Sequence, residues 1–232
     1  MLREYPTFPY VAFNDSLRQV QSIIGQGVYY PDRIGHTYEE MCAFYELAAG
    51  YHDAASGYTM QFGISSGGSA VIMGMALRES RNDYATPLVA IDPYLSVETG
   101  YEIESQRVAK DNIQRLGLAA FVCPITYTAF EFVDAFWDKP VRLAVIDTIH
   151  SYKQTKQETA CILPYMVKGG WLVVHGYHPK SIGCVEYINE LIDTLEISEV
   201  FRVYNRADLQ HDNQFCLIHE SSLIMMRLNK GT

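Results

Sequence analysis

The sequence has no paired cysteines, no run of basic residues and no long apolar segment, and each absence excludes a class of protein. Its five cysteines are scattered and none belongs to a C-x-x-C pair, which argues against a disulfide scaffold and indicates reduced thiols. Lys and Arg number 18 against 27 Asp and Glu, for a net charge of -9. Because phosphate binding needs a concentrated basic surface, we expect no nucleic acid as a partner.

The first residues contain no apolar core of the signal-peptide type, and no stretch approaches the about 18 apolar residues that span a bilayer. We therefore expect a cytoplasmic protein with no membrane partner. The length of 232 residues and the hydrophobic content of 48% suit one α/β domain with a sizeable core.

Residues 1–50 differ in character from the rest. They are rich in aromatic and turn-forming residues up to Gly35, and a helix is predicted over 38–49, with Thr37 and Glu40 at the spacing of a capping box. We expect 1–50 to form an N-terminal extension that acts as a cap or lid, and 51–232 to form the main domain.

Beyond residue 50, short apolar strands alternate with helices. Apolar residues at successive positions of a strand are typical of a parallel sheet that helices cover on both faces. The pattern predicts an α/β fold with a doubly wound, Rossmann-like, mostly parallel sheet and a C-terminal antiparallel hairpin. The predicted strands are 58–64, 87–92, 120–125, 141–147, 171–175, 201–204 and 215–224. The predicted helices are 69–79, 102–116, 129–136, 155–166 and 183–195.

Polar residues follow these strands at the edge where open α/β sheets bind ligands. Residues 61–69 (QFGISSGGS) form a glycine-rich turn that lets a ligand approach the backbone, although the turn fits neither G-x-G-x-x-G nor the Walker A pattern. Asp92 ends the next strand, where an acid can accept the hydroxyls of a ribose. Each feature alone is also explained by a tight loop or a helix cap. Together they favour a nucleoside site.

Two further segments, 146–152 (IDTIHSY) and 168–177 (KGGWLVVHGY), complete a pattern. With the glycine turn and Asp92, they resemble the class I S-adenosylmethionine-dependent methyltransferases, particularly the bacterial natural-product and sugar O-methyltransferases similar to macrocin O-methyltransferase. The resemblance covers about residues 58–185. It implies S-adenosyl-L-methionine as cofactor, a hydroxyl of a small-molecule metabolite as acceptor, natural-product biosynthesis as the setting, and a homodimer, since relatives commonly form dimers.

The resemblance also implies roles for individual residues. The positions it assigns to the cofactor are Gln61, Gly63, Ser65, Gly67, Ser69, Asp92, Pro93, Tyr94, Thr126 and Asp147. Methyl transfer needs an aligned acceptor oxygen and removal of its proton, for which a histidine is suited. We expect the catalytic residues to be His150 or His175, with Asp147 beside them.

Gln61 stands where many relatives have an acid, and Gly176 replaces the Asp of an H-D-Y segment that provides a metal ligand in cation-dependent members. A divalent metal is therefore not expected. A transition metal at the cluster of Asp147, His150, His175 and His178 remains an alternative.

Two other functions stay open: an S-adenosylmethionine-binding enzyme of another reaction class on the same fold, and a non-catalytic methyltransferase-like binding subunit. The remaining histidines have no companion motif, and we interpret them as surface or core residues: His36, His52, His211 and His219.

Overall fold

A single sheet of eight strands, flanked by helices, organises the described part of the chain. The computed structural model describes residues 3–4, 36, 38–50, 55–80, 86–94, 101–203 and 223–229. The strands are β1 (Arg3–Glu4), β2 (Tyr58–Phe62), β3 (Leu88–Ile91), β4 (Val122–Ile125), β5 (Val141–Ile146), β6 (Met166–Val174), β7 (Ile197–Arg202) and β8 (Ile224–Leu228). The helices are α1 (Tyr38–Ala49), α2 (Gly68–Glu79), α3 (Tyr101–Arg115), α4 (Ala129–Phe136), α5 (Tyr152–Ile162) and α6 (Ile182–Thr194).

The strand order confirms the predicted doubly wound α/β fold. Across the sheet the order is β1-β7-β8-β6-β5-β2-β3-β4. Every pairing is parallel except those of β8, which runs antiparallel to both β6 and β7. The chain leaves β2 for β3 and β4 on one side and returns to β5 on the other, so the topological switch point lies between β2 and β5.

The sheet is apolar on both faces, and that is why its strands are continuous apolar runs. Along β5, Leu143 and Val145 pack with α1 and α2 in one core cluster. The alternate residues Ala144 and Ile146 pack with α5 and α6 in the other. Successive side chains of a strand point to opposite faces, so each strand contributes side chains to both core clusters.

Helix α1 belongs to the first of these cores. Its apolar residues from Met41 to Leu47 are at most 1% exposed, and the buried Arg142 of β5 donates to the carbonyls of Leu47 and Ala48 at the end of the helix. Residues 5–35 lie outside the described part of the chain, as does Thr37. The proposed lid, the capping box and the domain boundary near residue 50 therefore stay predictions.

Most predicted elements were placed within a few residues, and helix 129–136 matches at both ends. The prediction for β6 was wrong at its start. The strand begins at Met166, not Trp171, because the chain passes through Gly169 and Gly170 as an irregularity in the pairing with β5 and not as a turn. A Cβ on Gly170 would lie 2.9 Å from the Arg142 carbonyl oxygen, so the close approach of the two strands requires glycine there.

Two other boundaries differ. The helix predicted over 155–166 begins at Tyr152, where Ser151 accepts from the Gln154 N–H, and ends at Ile162 before a 3₁₀ turn, Leu163–Tyr165. The predicted C-terminal hairpin is confirmed as the β7–β8 pair, but both strands lie elsewhere than predicted. Strand β7 is Ile197–Arg202 and not 201–204, and β8 is Ile224–Leu228, while most of the predicted 215–224 strand falls outside the described residues.

None of the helices within the described ranges is long and apolar enough to cross a membrane. The predicted cytoplasmic location and homodimer stay predictions.

Candidate active site

Four residues that follow neighbouring strands form one row at the carboxyl edge of the sheet. Phe62, the last residue of β2, pairs with Ile91 of β3 and with Ile146 of β5, and Ile146 pairs in turn with Val174 of β6. The next residues along the four strands are Gly63, Asp92, Asp147 and His175. The equal register therefore brings the sequence motifs to one place, on both sides of the switch point.

A cavity of about 530 Å³ opens at this row. Most of the predicted site residues line it: Gly63, Ser65, Ser69, Asp92, Pro93, Asp147, His150 and His175. Four others do not belong to its lining: Gln61, Gly67, Tyr94 and Thr126. Residues that the sequence prediction did not include also line it, among them His36, Thr148, Gln154 and Glu158. Their roles in binding stay predictions.

The first glycine of the turn allows β2 and β5 to approach each other closely. Gly63 has φ +78° and donates to the Ile91 carbonyl at 2.8 Å. A Cβ there would overlap the backbone carbonyl oxygen of Asp147 and would lie 2.7 Å from its carbonyl carbon. Neither group can swing away, so only glycine fits.

Asp92 holds the glycine turn in its conformation. Its Oδ2 accepts from the backbone N–H of Ile64 at 2.9 Å and of Ser65 at 2.8 Å, and its Oδ1 accepts from the N–H of Tyr94 at 2.9 Å. Ser65 and Tyr94, at φ 44° and 48°, are the non-glycine residues with positive φ in the described part of the chain. Such backbone conformations persist where the surroundings hold them, and here one carboxylate does so.

Gln61 lies behind the turn and not in the cavity. It is 0% exposed, and its Nε2 donates to the Gly63 carbonyl at 2.9 Å and to Ser69 Oγ at 2.6 Å. Its amide therefore links Gly63 and Ser69, the two ends of the turn, on the side that faces away from the cavity. An acid at this position could accept from Ser69 but could not donate to Gly63.

Asp147 lies between two imidazole rings. Its Oδ2 is 3.0 Å from His36 Nε2 and its Oδ1 is 2.9 Å from His175 Nδ1. Burial alone would raise the pKa of Asp147, but the charges of His175 and His36 and the hydrogen bonds from His150 and His175 together hold it well below its usual range. Asp147 is therefore a carboxylate at neutral pH.

His175 carries the matching positive charge. Burial lowers its pKa, but the Asp147 carboxylate and, to a smaller extent, Glu40 outweigh burial and raise the pKa to about 9. Glu40 Oε2 lies 3.8 Å from His175 Nε2, on the side of the ring opposite Asp147. In the metal-free protein His175 is thus protonated at neutral pH and cannot accept a proton, so it is a poor candidate for the base.

His150 packs against a glycine that makes room for its ring. Its Nε2 is 3.5 Å from Asp147 Oδ1, and its side chain is 32% exposed. A Cβ on Gly176, which has φ +90°, would lie 2.6 Å from His150 Cδ2 and 2.8 Å from Nδ1. The sequence comparison treated Gly176 as the loss of a metal ligand. In the structure this glycine is what allows His150 to reach the cavity.

A second polar group faces the cavity beside the histidines. The buried Glu158 accepts from Thr148 Oγ1 at 2.5 Å and from Gln154 Nε2 at 2.7 Å. Burial raises its pKa, and these two hydrogen bonds partly oppose that effect. The network attaches the loop after β5 to α5.

His36 is the site residue that sequence reasoning missed. The sequence left it as a surface or core residue without a role, and in the structure it is 5% exposed. Nothing in its neighbourhood of the sequence indicates a partner. His178, which the sequence grouped with Asp147, is absent from the cavity lining, and its Nδ1 accepts from the Lys180 N–H at 3.2 Å. The cluster at Asp147 thus contains His36 in place of His178.

Comparisons with known proteins bear on the family and the fold. A family model described as a methyltransferase domain matches residues 60–177, which include all four residues of the row. A search of curated proteins finds no match.

Solved structures share the fold at low sequence identity. Cofactor-bound Rv0187 from MTB superposes with a TM-score of 0.61 at 11% identity, covering 96% of this chain and 91% of that one. The O-methyltransferase NovP gives 0.61 at 12% identity, covering 94% and 100%. TomG from Streptomyces achromogenes, an O-methyltransferase involved in tomaymycin synthesis and solved with SAM, gives 0.57 at 14% identity, covering 97% and 92%.

Proposed function

Because this chain belongs to the methyltransferase domain family, with the fold of the class I S-adenosylmethionine-dependent enzymes, we propose that it transfers the methyl group of S-adenosylmethionine to a hydroxyl of a small-molecule metabolite. The observation that carries the proposal is the row of Gly63, Asp92, Asp147 and His175 around one cavity at the switch point. Two of the compared structures are O-methyltransferases, which supports oxygen as the accepting atom.

We assign the half of the cavity at β2 and β3 to the cofactor. A volume of about 530 Å³ is in the range of small-molecule sites. The turn residues Gly63, Ser65 and Ser69 would hold the methionine portion, and Asp92 with Pro93 would hold the ribose. When bound, the cofactor supplies a methyl group on a positively charged sulfur that needs no further activation.

Asp92 has room for fewer ribose hydrogen bonds than the sequence predicts. A carboxylate has about four lone-pair sites, two on each oxygen. Backbone N–H groups occupy both sites of Oδ2 and one of Oδ1. One lone-pair site remains, so Asp92 accepts a hydrogen bond from one ribose hydroxyl. Its other three sites accept from the backbone N–H groups of Ile64, Ser65 and Tyr94.

The half of the cavity at β5 and β6 handles the acceptor, and His150 is the catalytic residue. The S–CH₃ bond breaks as the O–CH₃ bond forms, and the hydroxyl proton must leave the acceptor oxygen. Asp147 lies beside His150 Nε2, which leaves Nδ1 as the nitrogen that takes this proton. His175, whose Nδ1 lies 2.9 Å from Asp147 Oδ1, holds the Asp147 carboxylate in place.

Product analysis tests the proposal. The purified chain is incubated with S-adenosylmethionine and a panel of hydroxylated small molecules, and S-adenosylhomocysteine is measured against methylated product. We expect equal amounts of the two, and none without an acceptor. Cofactor binding without S-adenosylhomocysteine across the panel would overturn the proposal in favour of a binding subunit. Acceptor conversion without methylated product would favour another reaction class.

A further inference from the structure

Three side chains from separate parts of the chain meet at one wall of the cavity. His36 precedes α1, Asp147 follows β5 and His175 follows β6, and one ligand atom from each lies within 4.8 Å of the other two. We propose that these three side chains bind a divalent transition-metal ion, such as Zn²⁺, Fe²⁺ or Co²⁺.

The donor set selects this class of ion. Two imidazole nitrogens and one carboxylate suit transition metals, whereas Mg²⁺ and Ca²⁺ prefer a shell of oxygens. Ligand bonds of about 2.0–2.2 Å place neighbouring ligand atoms about 3 Å apart. The nitrogens of His36 and His175 lie 3.0 Å and 2.9 Å from the nearest Asp147 oxygens, so the three groups need little movement to surround an ion.

The surroundings of His175 supply an independent observation. A metal-bound histidine commonly directs its second ring nitrogen to a carboxylate or carbonyl, which fixes the ring. His175 offers Nδ1 to the proposed ion, and its Nε2 lies 3.8 Å from Oε2 of Glu40, a carboxylate that is 0% exposed. The fully buried Glu40 thus lies on the side of the ring where an outer carboxylate would stand, at ion-pair distance and not at hydrogen-bond distance.

All three ligands line the cavity, so an ion bound by them would be accessible from it. Catalytic zinc sites have this form, with three protein ligands and one open position. A water or the acceptor oxygen would fill that position. That the acceptor oxygen fills this position rests on the proposed function, whereas the binding of the ion does not.

Metal titration of the full chain without an affinity tag tests the site. The protein is stripped with a chelator and titrated with Co²⁺ alone, followed by visible absorption and calorimetry. We expect one tight site per chain that Mg²⁺ does not compete for. Because changes to outer-shell partners already cost about 10- to 100-fold in affinity, His36→Ala and His175→Ala should each cost at least as much. The matched control is His178→Ala, which removes a histidine outside the cavity and should bind Co²⁺ like the wild type.

Circular dichroism establishes that each variant is folded, and His36→Gln replaces His36→Ala if the latter is not. The proposal is overturned if the folded wild type has no tight Co²⁺ site. It is also overturned if the folded His36 and His175 variants bind Co²⁺ as tightly as the wild type, because the three groups would then be an ion-paired cluster only. No cofactor or acceptor is present in the titration, so failure of the methyltransferase assignment leaves this result unaffected.

Discussion

One half of the cavity is shaped mainly by the backbone and the other mainly by side chains. The loop half, residues 63–69 with Asp92, takes its shape from the backbone: a glycine at φ +78° and three N–H groups held by one carboxylate. The histidine half takes its shape from side chains: the rings of three histidines surround the Asp147 carboxylate. These are His36, His150 and His175.

This difference separates the expected effects of substitution. Changes in the loop half alter the conformation of the chain and therefore the stability and the affinity for the cofactor. Changes in the histidine half leave the backbone intact and alter proton transfer or metal binding.

The sharpest test of the loop half is Gly63→Ala, for which we expect the largest effect. A left-handed non-glycine residue costs about 1–2 kcal/mol, and the added Cβ would also overlap the Asp147 carbonyl. We expect a loss of more than about 4 kcal/mol in the free energy of unfolding, measured with urea, and no cofactor binding. The matched control is Gly117→Ala, at φ +68° with nothing within 4 Å of the added Cβ, where only the backbone cost remains. Equal unfolding midpoints in the two variants would show that the close approach is unnecessary.

In the histidine half, His150→Ala should lower kcat by about 10²–10⁴-fold, because a positioned base contributes that much. Cofactor affinity should stay unchanged, since His150 belongs to the other half. Steady-state kinetics and calorimetry measure the two quantities. His178→Ala, the control outside the cavity, should turn over like the wild type. Full turnover by a folded His150→Ala variant would remove His150 from the mechanism.

Asp92→Ala tests whether one residue serves both the turn and the ribose. Losing one charge-assisted hydrogen bond to the ribose costs about 1.5–3 kcal/mol, or roughly 10- to 150-fold in cofactor affinity. Hydrogen exchange of the Ile64 and Ser65 amides should accelerate at the same time, because they lose their acceptor. Unchanged affinity in the folded variant contradicts the ribose contact, and unchanged exchange contradicts the hold on the turn.

The smallest effect should come from Gly176→Ala. The new Cβ would press on the His150 ring, which can move, and a displacement of about 1 Å costs up to about 10²-fold. We expect kcat to fall about 10- to 100-fold with cofactor affinity unchanged. Gly117→Ala controls again for backbone strain, since it carries a similar φ without a neighbouring histidine. A kcat equal to that of the Gly117→Ala variant would show that His150 tolerates the contact.

The fold could be predicted from sequence because its signals are local. A strand buried on both faces is a run of apolar residues, as in β5, and a short amphipathic helix such as 129–136 shows its period within two turns. The start of β6 could not be predicted, because whether Gly169 and Gly170 turn or continue depends on Arg142 of the neighbouring strand.

The site was predictable only where its residues follow strands. Asp147, His150 and His175 could be found because strand ends meet at one edge. His36 follows no predicted strand, and its contact with Asp147 joins residues that are far apart in the sequence. Asp92 also holds the glycine turn, and this role depends on the positive φ values of Ser65 and Tyr94. Non-glycine residues rarely adopt such values, and no sequence pattern predicts them.

The position of β8 has a consequence for the order of assembly during synthesis. Residues 224–228 insert between β6 and β7, and β1 is attached to the sheet through β7. Among the described strands, a ribosome-bound chain that ends before residue 224 can pair β2 to β6, but the edge of β6 that β8 covers stays unpaired. Strands β1 and β7 then lack the strand that joins them to the sheet. Open strand edges invite pairing with other chains. The nascent protein is therefore open to such pairing until β8 has emerged, which is long after the described residues of the cavity have been made.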